Sequence, residues 1–285
     1  MNLAKSNILI TGAAGGIGSA TARRLGSAGA RLLLTDFRAE PLETLALELE
    51  ASGIAVRVEA ADIGRQADRK RLAGVASDFG ADCLINIAGI NPFGLFEEQS
   101  DSEIEKALSI NTIAPMLLCR ALLPLLMQSD EAHIVNVGSV FGSIGYPGFA
   151  VYSASKFAVR GLTEALRREY ADSSVRIHYV APRATRTALS TDRISAMNEE
   201  LKVATDSPQT VAAAIAQALR GTRREVYLGR PERLFGLINA VLPGLIDRAL
   251  FKQLPIVRRY ASGSRSAKRT SPSESVNLKI MGAER

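Results

Sequence analysis

Tyr152 and Lys156 stand four residues apart in the run Tyr152-Ser153-Ala154-Ser155-Lys156. On a helix that spacing puts both side chains on one face, one turn apart. A phenol alone titrates near pH ~10 and is a poor base at neutral pH. An ammonium held beside it favours the phenolate and lowers that value. A tyrosine tuned in this way gives or takes a proton at a substrate oxygen. The same spacing also arises on ordinary surface helices, so the chemistry needs support from elsewhere in the chain.

Support comes from a second group of residues. Thr11-Gly12-Ala13-Ala14-Gly15-Gly16-Ile17-Gly18 lies where a first apolar run, Asn7 to Thr11, turns into helical spacing. Gly12 permits a tight turn, and Gly16 and Gly18 leave room for a pyrophosphate to approach the backbone. The helix start adds N–H groups and a positive dipole end. Gly12, Ala14, Gly15, Gly16, Ile17 and Gly18 are therefore expected around a dinucleotide. Glycines in a loop mean little by themselves, but at the first strand–helix junction of an alternating chain they are specific. Asp36 closes the second apolar run. A carboxylate there accepts from both ribose hydroxyls and repels a 2′-phosphate, which favours NAD over NADP. Arg38, two residues on, softens that preference. Asp62 follows the third run, where it would either accept from an adenine amino group or cap a helix ahead of Gly64 and Arg65.

These residues require particular elements to position them. Short apolar runs at Asn7–Thr11, Arg31–Thr35, Ala55–Glu59, Cys83–Asn86, His133–Val137, Val175–Val180 and Glu225–Leu228 read as buried strands. Helical spacing separates them over 16–28, 41–52, 65–79 and, as one long helix, 101–127. Apolar strands alternating with helices mean a parallel sheet covered on both faces, an α/β doubly wound fold. The ligand is then expected outside the carboxyl ends of the strands.

Composition excludes several classes. The 285 residues are 47% hydrophobic, enough for one large core. Cys83 and Cys119 sit in apolar contexts and read as reduced thiols of a cytoplasmic protein. Two histidines and no CxxC argue against a metal site. Met1 to Ser6 lead straight into a strand with no secretory signal, and no apolar run is read as reaching the ~20 residues that span a bilayer. The charge is uneven. Of the net +6, residues 220–269 contribute twelve Lys/Arg against three Asp/Glu, which leaves the remainder net negative.

Together the motifs resemble the short-chain dehydrogenase/reductase family of single-domain, NAD(P)-dependent type, from about Asn7 to Leu228. The glycine pattern is Gly12-xxx-Gly16-x-Gly18. Asp62-Ile63 resembles the family's adenine-contacting pair. Asn86-Ile87-Ala88-Gly89 resembles its Asn-Asn-Ala-Gly motif, with Ile87 in place of the second asparagine. Asn111, Ser139, Tyr152 and Lys156 match its catalytic residues. The resemblance implies a Rossmann-like fold and hydride transfer between a nicotinamide and a carbonyl or secondary alcohol. It implies that Tyr152 exchanges the proton and Ser139 holds the substrate oxygen. Lys156 would tune Tyr152 and bond the nicotinamide ribose, and Asn111 would hold a water linked to Lys156. Asn86, Ala88, Gly89, Pro182, Thr185 and Thr187 fall at cofactor contacts. Pro182-Arg183 departs from the family's usual Pro-Gly and adds a charge there. A homodimer or homotetramer is implied. Alternatives are an NADPH-dependent ketoreductase of fatty acid or polyketide type, and a cofactor-binding scaffold without turnover.

The substrate pocket is expected from three pieces: Ile90 to Phe96, with Phe93, Leu95 and Phe96; Val140 to Phe149, with Phe141, Ile144, Tyr146 and Phe149; and Ala184 to Leu201. Their apolar character points to a lipophilic ketone or alcohol. By this reading 1–230 is the dinucleotide-binding and catalytic domain and 231–260 an apolar, basic helical extension. Residues 261–285 form a Ser/Arg/Lys-rich tail expected to be disordered. The extension, Leu234 to Val257, is broken at Pro243-Gly244 and bordered by Arg230, Arg233, Arg258 and Arg259. It would lie on a membrane through 234–259, cover the pocket, or pack between subunits. Arg265, Lys268 and Arg269 are read as solvated, with no nucleic acid expected.

Overall fold

The computed structural model describes residues 1–262. Among them, seven strands form one parallel sheet: β1 (Asn7–Thr11), β2 (Arg31–Thr35), β3 (Val56–Val58), β4 (Cys83–Asn86), β5 (Ala132–Val137), β6 (Val175–Ala181) and β7 (Glu225–Tyr227). Their order is β3-β2-β1-β4-β5-β6-β7. The central strands are mostly apolar because both faces are covered, whereas the edge strand β3, Val56-Arg57-Val58, is largely exposed and β7 half-buried. Ile8, Ile10, Leu32, Leu34, Ile85 and Val135 point to one face, into a core shared with α1 (Gly16–Gly26), α2 (Ala39–Ala51) and α8 (Pro208–Arg220). Their alternates Leu9, Leu33, Leu84, Ile134 and Ile177 point to the other, against α3 (Gln66–Phe79) and α5 (Ala114–Leu126).

Chain direction across the sheet reverses between β1 and β4, which pair Thr11 with Asn86. Connections leave these two neighbours on opposite sides, so a crevice opens at their carboxyl ends. This is where the glycine turn lies.

The single helix expected over 101–127 is interrupted. α4 (Asp101–Leu108) begins at a capping box: the Ser100 hydroxyl accepts from the Glu103 N–H, and the Glu103 carboxylate from that of Ser100. A π-turn over Ser109–Ile113 follows, in which the Ala114 N–H reaches back to the Ser109 carbonyl, and α5 continues from there. Such bulges mark functional positions, and this one carries Asn111. The composite Asp101–Leu126 also corrects the reading that no run is long and apolar enough to span a bilayer, for its most apolar window has a mean hydropathy of 1.5. That hydropathy serves the core, where Leu118, Cys119, Leu122 and Leu126 are buried.

α6 (Ala150–Glu169) carries Tyr152 and Lys156, and α7 (Asp192–Glu200) follows β6. After β7 come α9 (Arg230–Val241) and α10 (Pro243–Ala261), a hairpin broken at the expected proline. It folds back over the carboxyl ends of the strands. Most of the 261–285 tail, with Arg265, Lys268 and Arg269, lies outside the described residues.

Candidate active site

The site starts from the glycine turn. Gly12 has φ +66°, and a Cβ there would sit 2.7 Å from the Ala88 Cα. A Cβ on Gly18 would lie 2.1 Å from the Gly12 carbonyl oxygen, and one on Gly16 would lie 2.9 Å from Thr187 Cγ2. Only glycine allows this closeness. Gly15 caps α1 without a side-chain hydrogen bond, so the first N–H groups of the helix are left for a ligand. The Thr11 hydroxyl accepts from the Ile87 and Ala88 N–H groups at 3.1 and 3.2 Å, tying the turn to the end of β4. This cradle fits the pyrophosphate of a dinucleotide.

Asp36 is buried at the end of β2. Its carboxylate accepts from the Ala14 N–H at 3.2 Å and from the Arg38 guanidinium at 3.1 Å. Asp62 is not a helix cap: the residue preceding α3 is Arg65, and the Asp62 carboxylate instead accepts from Gly64 N–H at 2.9 Å. The Ile63 side chain is packed in the core. The Asn86 amide lies inside the sheet, donating to Asn136 Oδ1 at 2.9 Å, with its own Oδ1 buried and unpartnered.

The reacting groups gather one strand further on. Ser139 follows β5, and its Oγ accepts from the Phe141 N–H at 3.1 Å. Tyr152 lines the adjoining cavity with Ser139, Lys156, Pro182, Thr185, Thr187 and Ile17. Lys156 Nζ lies 5.7 Å from the Tyr152 ring centre and donates to the Val137 carbonyl at 3.1 Å. Gly89 keeps its backbone close to this amine, for a Cβ there would be 3.7 Å from Nζ.

The expected acidification of the phenol is not produced by the polypeptide alone. Burial pushes Tyr152 up to about 12, while a hydrogen bond from Ser139 pulls the other way. Burial brings Lys156 down to about 8. Desolvation wins because both groups sit in a low-dielectric wall and the ammonium is turned toward Val137. The phenol therefore holds its proton at neutral pH, as a donor must.

The Asn111 side chain is engaged on three sides: Nδ2 donates to the Ile90 carbonyl at 2.9 Å and to Ser155 Oγ at 3.1 Å, and Oδ1 accepts from the Ile90 N–H at 2.8 Å. It clamps the loop after β4 to the catalytic helix. Arg183 does not reach toward the carboxamide region as a free charge. It forms a two-pronged pair with Asp206, at 3.0 and 2.9 Å, and a third bond to Glu232 on α9 at 3.3 Å.

The cavity holds about 370 Å³. Phe141, Ile144, Tyr146 and Phe149 line it as expected, as do Leu189, Ile194 and Met197. Phe93, Leu95 and Phe96 do not: Phe93 stacks behind the wall on Phe149, and Phe96 is largely exposed. From that first piece Asn91 alone lines the cavity, and the rest of the wall there is made by side chains of α9 and α10, Phe235, Ile246 and Leu250 among them. Of the three roles open to the extension, covering the pocket is the one the geometry displays. The signal for it was faint, an apolar helical face with no stated neighbour.

Comparison with known proteins agrees with this geometry. Residues 6–198 match the family model described as short chain dehydrogenase. Dehydrogenase/reductase SDR family member 7B of Bos taurus is 32% identical over 258 residues, 85% of this chain and 79% of that protein. Dehydrogenase/reductase SDR family member 4 of Homo sapiens is 30% identical over 240 residues, 83% of this chain and 81% of its own length. Among solved structures, a short chain dehydrogenase/reductase from Burkholderia phymatum in complex with NAD superposes with a TM-score of 0.78 at 24% identity, covering 86% of this chain and 96% of its own. A short chain dehydrogenase from Burkholderia cenocepacia in complex with NADP gives 0.75 at 26% identity, covering 88% and 99%.

Proposed function

The chain belongs to the short-chain dehydrogenase family, whose members are NAD(P)-dependent oxidoreductases acting on CH–OH or C=O groups, and from that premise we propose that it prefers NAD(H) and acts on an uncharged, lipophilic ketone or secondary alcohol. The observation that carries the substrate class is the state of the cavity's charges. Both cations in its wall are already held, Arg183 by Asp206 and Glu232, and Lys156 by the Val137 carbonyl. An anionic substrate would find no clamp there, whereas the aromatic and aliphatic wall favours apolar surface.

The cofactor would rest on the N–H groups of α1 beneath Gly12, Gly16 and Gly18, and it supplies the hydride. The protein's own residues handle the oxygen and the proton. Ser139 holds the substrate oxygen against Tyr152. In reduction Tyr152, kept protonated by desolvation, donates its proton to the developing alkoxide; the reverse reaction requires its phenolate to take the hydroxyl proton. Lys156, with its pKa brought near 8, exchanges a proton readily at working pH.

Asp36 supports NAD, since its buried carboxylate occupies the end of β2. The Arg38 guanidinium paired with it supports a second reading, NADPH-dependent carbonyl reduction, because that pairing neutralises the carboxylate beside a ribose 2′-position. One experiment addresses both. NADH and NADPH are titrated against the wild type and Tyr152→Phe, and each protein is then assayed on apolar ketones and alcohols by nicotinamide absorbance. The expectation is tighter NADH and turnover on apolar substrates. Tyr152→Phe should lose about a thousandfold in rate with near-unchanged cofactor affinity. Tighter NADPH would defeat the Asp36 argument, and surviving turnover in Tyr152→Phe would defeat the proton assignment.

A further inference from the structure

The α9–α10 hairpin has two apolar faces. The inner one is accounted for: Ile246 and Val257 are buried, and Asn239 Nδ2 donates to the Ser143 carbonyl at 3.0 Å. The outer one is not. Leu234, Leu237 and Val241 recur at helical spacing along α9, Leu242 forms the joint, and Leu245 and Phe251 continue along α10. These six side chains are 53% to 68% exposed. They form a stripe rather than scattered single residues, and contiguous apolar surface of this kind marks an interaction site.

The polar residues around the stripe indicate what covers it. Arg233, Arg248 and Lys252 are exposed beside it, against Asp247 on the acidic side. A second copy on this face would bring a second set of the same three cations to the contact, with only Asp247 of each copy to offset them. Anionic headgroups would pair with them instead. The stripe is also continuous with the cavity: Phe235 lines the pocket yet is 48% exposed. A surface that meets lipid here opens the pocket toward the acyl chains.

We propose that the hairpin of α9 and α10 docks on an anionic bilayer, with the Val241–Leu245 joint among the acyl chains and Arg233, Arg248 and Lys252 at the headgroups. Arg259, which borders the extension, is exposed but already paired with Glu200 on α7. Docking rests on exposure and charge alone. The corollary that substrate enters from the lipid rests on the lipophilic-substrate reading above.

The test is sedimentation of the full chain with phosphatidylcholine vesicles, with and without phosphatidylglycerol, for the wild type, Leu237→Ser/Leu242→Ser and Arg248→Ser/Lys252→Ser. NADH titration and the thermal midpoint report that each variant is folded, and neither pair lines the cavity. The wild type is expected on the anionic vesicles and to be largely released by about 0.5 M salt. The leucine pair should lower the partition coefficient about tenfold or more. The charge pair should remove the preference for anionic lipid. Wild type that stays in the supernatant, or a folded leucine variant that sediments like wild type, overturns docking. A dimer that dissociates in the leucine variant while wild type ignores vesicles assigns the stripe to a second copy. Failure of vesicle binding would leave the oxidoreductase reading intact, and inactivity on apolar substrates would leave docking intact.

Discussion

Tyr179 carries no reacting group, yet it shapes the residue that does. Its hydroxyl donates to the Ser139 carbonyl at 3.0 Å and accepts from the Ser139 N–H at 3.4 Å. The ring fills the space beside Gly138, where a Cβ would come within 2.2 Å of it. A serine at a strand end owes its direction to its backbone, and here one buried phenol holds both backbone polar groups. Tyr179 is thus a positioning residue. Tyr179→Phe keeps the packing and leaves the Ser139 carbonyl to the Gly142 N–H, at 2.9 Å, but removes the acceptor of the Ser139 N–H, so the hydroxyl of Ser139 should lose its aim. We expect kcat to fall about tenfold while the cofactor dissociation constant stays unchanged. Steady-state kinetics beside NADH titration checks this; loss of both together would mean general damage instead.

At the scale of elements, β5 and β6 are joined by more than their ladder. His133 Nδ1 and His178 Nε2 lie 2.9 Å apart between the two strands, and His178 Nδ1 donates to the Arg223 carbonyl at 3.1 Å. Burial brings both imidazoles down to about 4, aided in His178 by its neighbour. The sign follows. A histidine with a depressed folded pKa contributes stability that is full above its unfolded value near ~6.5 and is lost as pH falls toward the folded value. Urea unfolding between pH 7 and 4.5 should therefore show a loss of up to about 3 kcal/mol per imidazole. His133→Gln should flatten that slope. An identical slope in the variant would place the acid sensitivity elsewhere. The turn at Asn111 belongs to this scale too, since one extra residue in the helical ladder delivers a side chain that fastens α6 to the loop after β4.

At the scale of the whole molecule, the pocket is closed by a segment distant in sequence. α10 is latched to α7 at its far end: Arg193 donates to the Tyr260 and Ser262 carbonyls, and Glu200 accepts from Arg259 and the Tyr260 hydroxyl. Tyr146 reaches α10 by donating to Gln253 Oε1 at 2.5 Å. The contacts of Glu200 with Arg259 and Tyr260 are exposed and individually weak, which suits a cover that must admit substrate. Glu200→Gln should loosen the far end. For bulky apolar substrates KM should rise about threefold, with cofactor affinity unchanged. Measuring KM across substrates of increasing size checks this, and a KM insensitive to size would show that the latch plays no part in access.

Local order was legible in the amino-acid sequence. Strand and helix alternation, the glycine turn and the Tyr152–Lys156 face all follow from spacings of a few residues, and periodicity records such spacings directly. What the tertiary structure decided depends on neighbours far along the chain. Arg183 became a strut because Asp206 and Glu232 came to meet it, and Asn111 a clamp because Ile90 and Ser155 did. The phenol of Tyr152 was raised rather than lowered because desolvation sums over every group that excludes water around it. The pocket's roof came from helices whose apolar pattern named no partner. Residue types set which interactions are available, and only the packed chain sets which of them are made.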